Sequence, residues 1–195
     1  MIVLSLCERM CPDKIPVTVE SRIGEGADGE VFSILNDKDK VIKFCILYEK
    51  YNLDIENEYN NIISCINQLY IDSTNIYAKL YSYNRIGIFE RDIVGGSKQK
   101  YIIYYYIMEK LEKISEDEKK VFHSILSHED RGIVKNFSIK KIEEILCGLS
   151  RGLDFDKDKI IFFYEEIGKS YIHHMDLHPR NIMKDKLGNF KLIFF

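Results

Sequence analysis

Hydrophobic and polar residues alternate with two distinct periods along this chain, and the period changes near its middle. From Val17 to Leu35 two β-prone runs, Val-Thr-Val-Glu-Ser-Arg-Ile and Glu-Val-Phe-Ser-Ile-Leu, flank Gly24-Glu25-Gly26-Ala27-Asp28-Gly29. That arrangement predicts an antiparallel hairpin with a glycine-rich turn. After the polar turn Asn36–Asp39, Lys40 to Leu47 predicts a third strand. Apolar residues at Ile55, Tyr59, Ile62, Ile63, Ile66 and Leu69 follow helical spacing, so a helix is expected over about Asn52–Leu69. Tyr77–Tyr83 and Arg85–Phe89 read as strands. Tyr101–Met108 is a run of aromatic and β-branched residues too short for a helix, and reads as a buried strand. Glu109 to Tyr171 has largely helical patterning, with loops near 127–136 and 154–159 and its clearest helix over about Ile160–His173. Ile182–Lys184 and Phe190–Phe195, around Leu187-Gly188-Asn189, predict a closing hairpin.

The order of elements predicts an α+β protein, with a small β-rich lobe in residues 1–108 and a helical lobe in residues 109–195. At 195 residues, 46% hydrophobic and 30% charged, the chain can bury a substantial core. A net charge of −3 argues against a general nucleic-acid binder, and no nucleic-acid partner is expected. The five cysteines are scattered, and nothing completes the Cys7/Cys11 spacing into a zinc site, so free thiols are expected. No stretch approaches the roughly 20 apolar residues of a membrane span, and the short apolar start lacks the basic flank of a signal peptide. A cytoplasmic location without membrane association follows as the expectation. Heavy use of Ile, Lys, Asn and Tyr suits an AT-rich genome; for a viral protein the compartment would be the host cytoplasm.

Several segments carry candidate chemistry. Gly24-x-Gly26-x-x-Gly29-x-Val31 is either an ordinary hairpin turn or a loop whose backbone N–H groups approach phosphate oxygens. A dinucleotide fingerprint needs a helix directly after the glycines, and here a strand follows. Lys43, within Val41-Ile42-Lys43-Phe44, is a lysine among apolar neighbours on a strand, and it can point to solvent or inward. Glu56 and Glu58 sit about 200° apart on the expected helix, so only one can face inward; Glu58 is favoured because Ile62 and Ile63 place its side against the core. Ile107-Met108-Glu109-Lys110-Leu111 leaves the buried strand. His174-Met175-Asp176-Leu177-His178-Pro179-Arg180-Asn181 sets an aspartate five residues before an asparagine in a short polar loop. A carboxylate there can accept a hydroxyl proton, and the amide can hold a divalent cation.

In this order the motifs resemble those of protein-kinase-like phosphotransferases, in patches from about Ser21 to the last residue. The resemblance implies a two-lobe fold with a β-rich N-lobe and a truncated helical C-lobe. It implies ATP and Mg²⁺ as cofactors and transfer to Ser/Thr hydroxyls of a protein substrate. Lys43 would anchor phosphates and Glu58 would orient it. Asp176 would receive or align the hydroxyl, His174 would be structural, and Asn181 would bind the metal. Ile23, Gly24, Gly26, Gly29, Val31, Met108, Glu109 and Leu111 would surround the nucleotide. The wording Asp176-Leu177-His178-Pro179 is closer to aminoglycoside and choline phosphotransferases, which keeps a small-molecule kinase as an alternative. Met175 replaces the arginine common in regulated protein kinases. Phe194 stands where the family has its main magnesium-binding aspartate and offers no oxygen. A pseudokinase or scaffold, or a fragment of a larger kinase, is therefore a further alternative.

Overall fold

The computed structural model describes residues 12–26, 29–50, 54–71, 74–127, 138–170 and 177–193. They belong to two compact units, residues 1–68 with 79–110 and residues 69–78 with 111–195. The architecture is α+β, as the patterning predicts.

In the first unit, β1 (Val19–Gly26), β2 (Gly29–Ile34), β3 (Asp37–Tyr48), β4 (Leu80–Asp92) and β5 (Lys98–Glu109) form one antiparallel sheet in the order β1-β2-β3-β5-β4. The glycine-rich hairpin is present, closing with Gly26 opposite Gly29. In β2 every second residue is buried, the signature of a strand with one face on a core. Val41–Cys45 of β3 and Tyr101–Met108 of β5 are buried without alternation, which requires cover on both faces. On one face Phe32, Ile34, Ile42, Phe44, Ile86, Ile103 and Ile107 form the core, with Phe44 edge-on to both Phe32 and Tyr105. Helix α1 (Ile55–Ile71) buries Ile55, Tyr59 and Ile66, and the Tyr59 ring meets Tyr104 of β5 at 5.7 Å.

The two strands expected over 77–83 and 85–89 merge from Leu80 on into one strand, β4, while Tyr77 bridges Leu192 instead. Register shifts at Leu80/Ser82 and Arg85/Gly87 let it stay paired with β5 through the polar interruption.

The second unit packs α2 (Glu116–Ser127), α3 (Ile139–Leu149) and α4 (Lys157–Lys169) with a small sheet of β6 (Glu112–Lys113), β7 (Ile182–Lys184) and β8 (Phe190–Leu192). Val121, Phe122, Ile142, Leu146, Ile160, Phe163, Tyr164, Ile182 and Phe190 are central to its core. Each helix starts on a local cap. Ser115 and Glu118 exchange two hydrogen bonds, Ser115 N–H to Glu118 Oε2 at 2.8 Å and Glu118 N–H to Ser115 Oγ at 3.2 Å. The side chains of Ser138 and Asp156 accept from Lys141 and Lys159 N–H. The helix expected from about Ile160 begins at Lys157, because Asp156 caps it, and Ser170 ends it. Residues 112–113, expected to be helical, pair instead with β7.

Residues 74–78 add an edge to β8: Ala78 N–H donates to the Leu192 carbonyl at 2.9 Å, and Tyr77 bridges Leu192. Among the described residues no helix is long and apolar enough to cross a membrane.

Candidate functional site

The register of the first unit's sheet lines up the candidate residues. Gly24 lies opposite Val31, Val31 opposite Lys43, and Lys43 opposite Tyr106. Paired residues in an antiparallel ladder share a face, and neighbouring strands are about 4.8 Å apart. Val31, Lys43 and Tyr106 therefore project from the same side. Met108, two residues beyond Tyr106, joins them there, opposite Val41. Val31 is half-buried and Met108 is buried, whereas Ile23 on β1 is 44% exposed.

The three glycines of the loop differ in what they must do. A Cβ at position 29 would lie 2.0 Å from the Phe44 carbonyl oxygen, so Gly29 is required by the contact of β2 with β3. A Cβ at Gly24 would make ordinary contact with Val31 at 3.9 Å, and one at Gly26 would meet nothing within 4 Å. Neither glycine has positive φ. Folding alone leaves room for side chains at both.

Lys43 is 2% exposed, and its ammonium lies 5.8 Å from the centre of the Tyr106 ring, within range of a cation–π attraction. Helix α1 separates the two candidate acids. Glu56 faces outward and takes two hydrogen bonds from Arg85 Nη1, at 2.7 and 3.0 Å. Glu58 turns the other way: its Oε2 is buried without a hydrogen-bond partner, and Oε1 is 3.6 Å from the exposed Lys50 ammonium. The ion pair made by Glu58 thus goes to Lys50 rather than to Lys43. A buried carboxylate oxygen left without a donor costs on the order of 1–3 kcal/mol, so this carboxylate has unused capacity for a cation or an N–H.

At the end of β5, Glu109 N–H donates to the Lys79 carbonyl and Lys110 N–H to the Asp39 carbonyl, both at 2.8 Å. Those two donors belong to the sheet of the first unit. Leu111 N–H has no backbone acceptor among the described residues.

In the second unit the loop before β7 is held from several sides. His174 and Asp176 lie outside the described residues. From Leu177 on, a single 3-10 turn, Pro179–Asn181, carries Asn181. His178 caps the turn through Nδ1, which accepts from Arg180 N–H at 3.1 Å, and its carbonyl accepts Asn181 N–H at 2.8 Å. Pro179 is buried at the first position, where its missing N–H costs nothing. The Asn181 carbonyl accepts Ile193 N–H at 2.8 Å, which ties the end of the hairpin to this turn. The residue after Ile193 is Phe194, itself outside the described residues.

The β7–β8 turn is organised by Asp185. Oδ1 accepts from Leu187 and Asn189 N–H, and Oδ2 accepts from the Asn189 amide. Lys191, also buried, donates to the Asn75 carbonyl and side chain and stands 4.0 Å from Asp185. Burial pushes the Asp185 carboxyl upward, but the Asn189 and Leu187 donors and the Lys191 charge outweigh it and hold the group below the usual carboxylate range.

A divalent metal is only partly provided for. Among the described residues no group of three His, Cys, Asp or Glu side chains could hold one. Asn181 contributes a neutral amide oxygen, and the side chain of Phe194, thirteen residues on, has no donor atom. Magnesium favours carboxylates and phosphates, so among the described residues Asn181 alone does not complete a site.

Pattern reading missed Tyr106 opposite Lys43 and Lys50 beside Glu58. Neither has a local signal, since the first depends on strand register and the second on how a loop approaches a helix. The cap at His178 had one partial cue, the proline that follows it.

No protein-family model matches the chain, and no curated protein matches it in sequence. Solved structures similar to it include a crystal structure of WbdD, at 16% identity over 91% of this chain with a TM-score of 0.38. A co-crystal structure of WbdD with the kinase inhibitor LY294002 matches at 14% identity over 90% of the chain, with a TM-score of 0.36. The chain spans about a third of the length of these structures, 32% and 31%.

Proposed function

We propose that this protein is an ATP-dependent phosphotransferase of protein-kinase type, acting on Ser/Thr hydroxyls of a protein substrate. The observation that carries this reading is the aligned row Gly24, Val31, Lys43, with glycines at 24 and 26 that the fold does not require. Glycines kept where a side chain would fit suit a backbone that must come close to a ligand.

In this reading the first unit contributes the loop N–H groups to phosphate oxygens and the Lys43 ammonium to their charge. Ile23, Val31 and Met108 supply apolar surface for the base. The resemblance assigns the hydroxyl to Asp176 and the cation to Asn181. The substrate hydroxyl oxygen bonds to the γ-phosphorus as the bond from that phosphorus to the bridging oxygen breaks. ADP leaves with the electron pair, and Asp176 takes the hydroxyl proton. Glu58 steadies Lys43 once it exchanges Lys50 for it. Magnesium would neutralise phosphate charge, and Asn181 is the described residue that would offer it an oxygen.

Transfer of labelled γ-phosphate to a generic acceptor protein tests the reading. Wild type is expected to label the acceptor, and Asp176→Asn and Lys43→Met to fall by about 10²-fold or more. Equal labelling by all three would refute it. Phe194 favours a second reading, nucleotide binding without transfer, and an ATP-dependent rise in melting temperature with no labelling would select it.

A further inference from the structure

We propose that the β7–β8 turn and the cavity beside it form one self-complementary surface, through which this protein pairs with a second copy of itself. The surface shares no residue with the nucleotide site proposed above.

The knob is Leu187. It is 78% exposed, yet both of its backbone groups are engaged. Its N–H donates to Asp185 Oδ1 at 2.9 Å, and its carbonyl accepts from the Lys159 ammonium at 2.8 Å. Gly188 follows at φ +75°, a conformation that side chains disfavour, and its N–H closes on the Asp185 carbonyl at 2.9 Å. A lone exposed leucine is ordinary. One held on a fixed turn loses little further freedom on docking, and this one stands beside a hole that suits it.

The hole is an open cavity of about 540 Å³ within the second unit. Buried Ile76, Phe163 and Phe190 form its floor, and Phe162, 53% exposed, forms a wall. Asp156 and Asp158, both exposed, lie at its mouth. Lys159 also lines it, but its ammonium is committed to the Leu187 carbonyl, which sets the turn on the cavity's rim. The turn carries the exposed cation Lys186 next to Leu187. Knob and hole therefore match twice, leucine to the aromatic floor and lysine to the carboxylates. Because they adjoin on one molecule, a two-fold axis between them lets each copy fill the other's cavity and closes the pair.

Sedimentation equilibrium of the full chain over a concentration series tests this. Wild type is expected to move from 23.0 kDa toward twice that mass. Leu187→Ala removes one docked side chain from each side of the axis, each on the order of tenfold, so its dimer should be about a hundredfold weaker. Its melting temperature at monomeric dilution should match wild type, because the leucine is exposed in the single chain. Lys186→Glu should weaken pairing, and adding Asp158→Lys to it should restore the pairing. A wild-type mass of 23.0 kDa at every concentration overturns the inference. So does a dimer indifferent to Leu187→Ala, or a Lys186→Glu defect that Asp158→Lys fails to rescue.

Discussion

Replacing the three loop glycines one at a time separates what the fold needs from what the ligand needs. In Gly29→Ala the new methyl carbon would sit 2.0 Å from the Phe44 carbonyl oxygen, 2.9 Å from its carbon and 3.0 Å from Cys45 Cα. All three are backbone atoms of β3, a strand buried on both faces and paired with β5 along nine residues from Lys40 to Tyr48. No side chain can rotate away to relieve the clash. β2 must move off β3 by more than 1 Å, breaking ladder hydrogen bonds, or β3 must be displaced within the core. Overpacking typically costs about 1–3 kcal/mol, and a rigid backbone obstacle belongs at or above the top of that range, ~3 kcal/mol. For a chain of this size that corresponds to a fall in Tm of about 6–12 °C.

Gly24→Ala and Gly26→Ala meet no such obstacle, and their stability should stay within about 1 kcal/mol of wild type, because alanine also lowers unfolded-chain entropy. Urea unfolding followed by circular dichroism gives the comparison, read as a change in midpoint at constant slope. The ATP-induced rise in melting temperature, measured on the same three variants, should be lost or reduced for Gly24→Ala and Gly26→Ala despite their intact stability. Two results would refute the reasoning: a Gly29→Ala protein as stable as Gly26→Ala, or Gly24 and Gly26 variants that respond to ATP as wild type does.

Two further outcomes follow from the second unit. Asp185 has a depressed carboxyl pKa, so its stabilising contribution is complete above the ordinary aspartate value of about 4 and disappears as pH falls through the lower folded value. Asp185→Asn should therefore be about 2 kcal/mol less stable at pH 7, and the gap should close in the acid range; a difference independent of pH would show that hydrogen bonding without charge accounts for the turn. Glu118 combines a cap on α2 with a salt bridge to Lys184 on β7, and it is buried. Glu118→Ala should cost about 3 kcal/mol by leaving Lys184 unpaired and Ser115 N–H unmet, whereas Glu118→Gln, which keeps the acceptor, should cost about half as much in thermal unfolding. Equal losses for the two variants would remove the cap from the explanation.

Local pattern along the chain was sufficient for the elements whose reasons are local. The glycine hairpin, the unbroken apolar run of β5, the amphipathic α1 and the β7–β8 turn each follow from spacing within about a dozen residues. Periodicity also narrowed the inward-facing acid on α1 to two residues, because a helix repeats every 3.6 positions and exposes only one of them to any given side. What spacing could not supply was the partner. Arg85, nearly thirty residues downstream on β4, engages Glu56, while Lys50 meets Glu58. The row joining Gly24, Val31, Lys43 and Tyr106 exists only once four strands adopt one register, and a slip of one residue would turn Lys43 to the opposite face. Segment 74–78 lengthens the sheet of the second unit by pairing with Leu192, more than a hundred residues away, and Lys191 is buried there because Asn75 and Asp185 receive it. A short range of sequence sets the preferences of each segment, but burial and pairing depend on which distant segment arrives opposite, and that is a property of the folded chain alone.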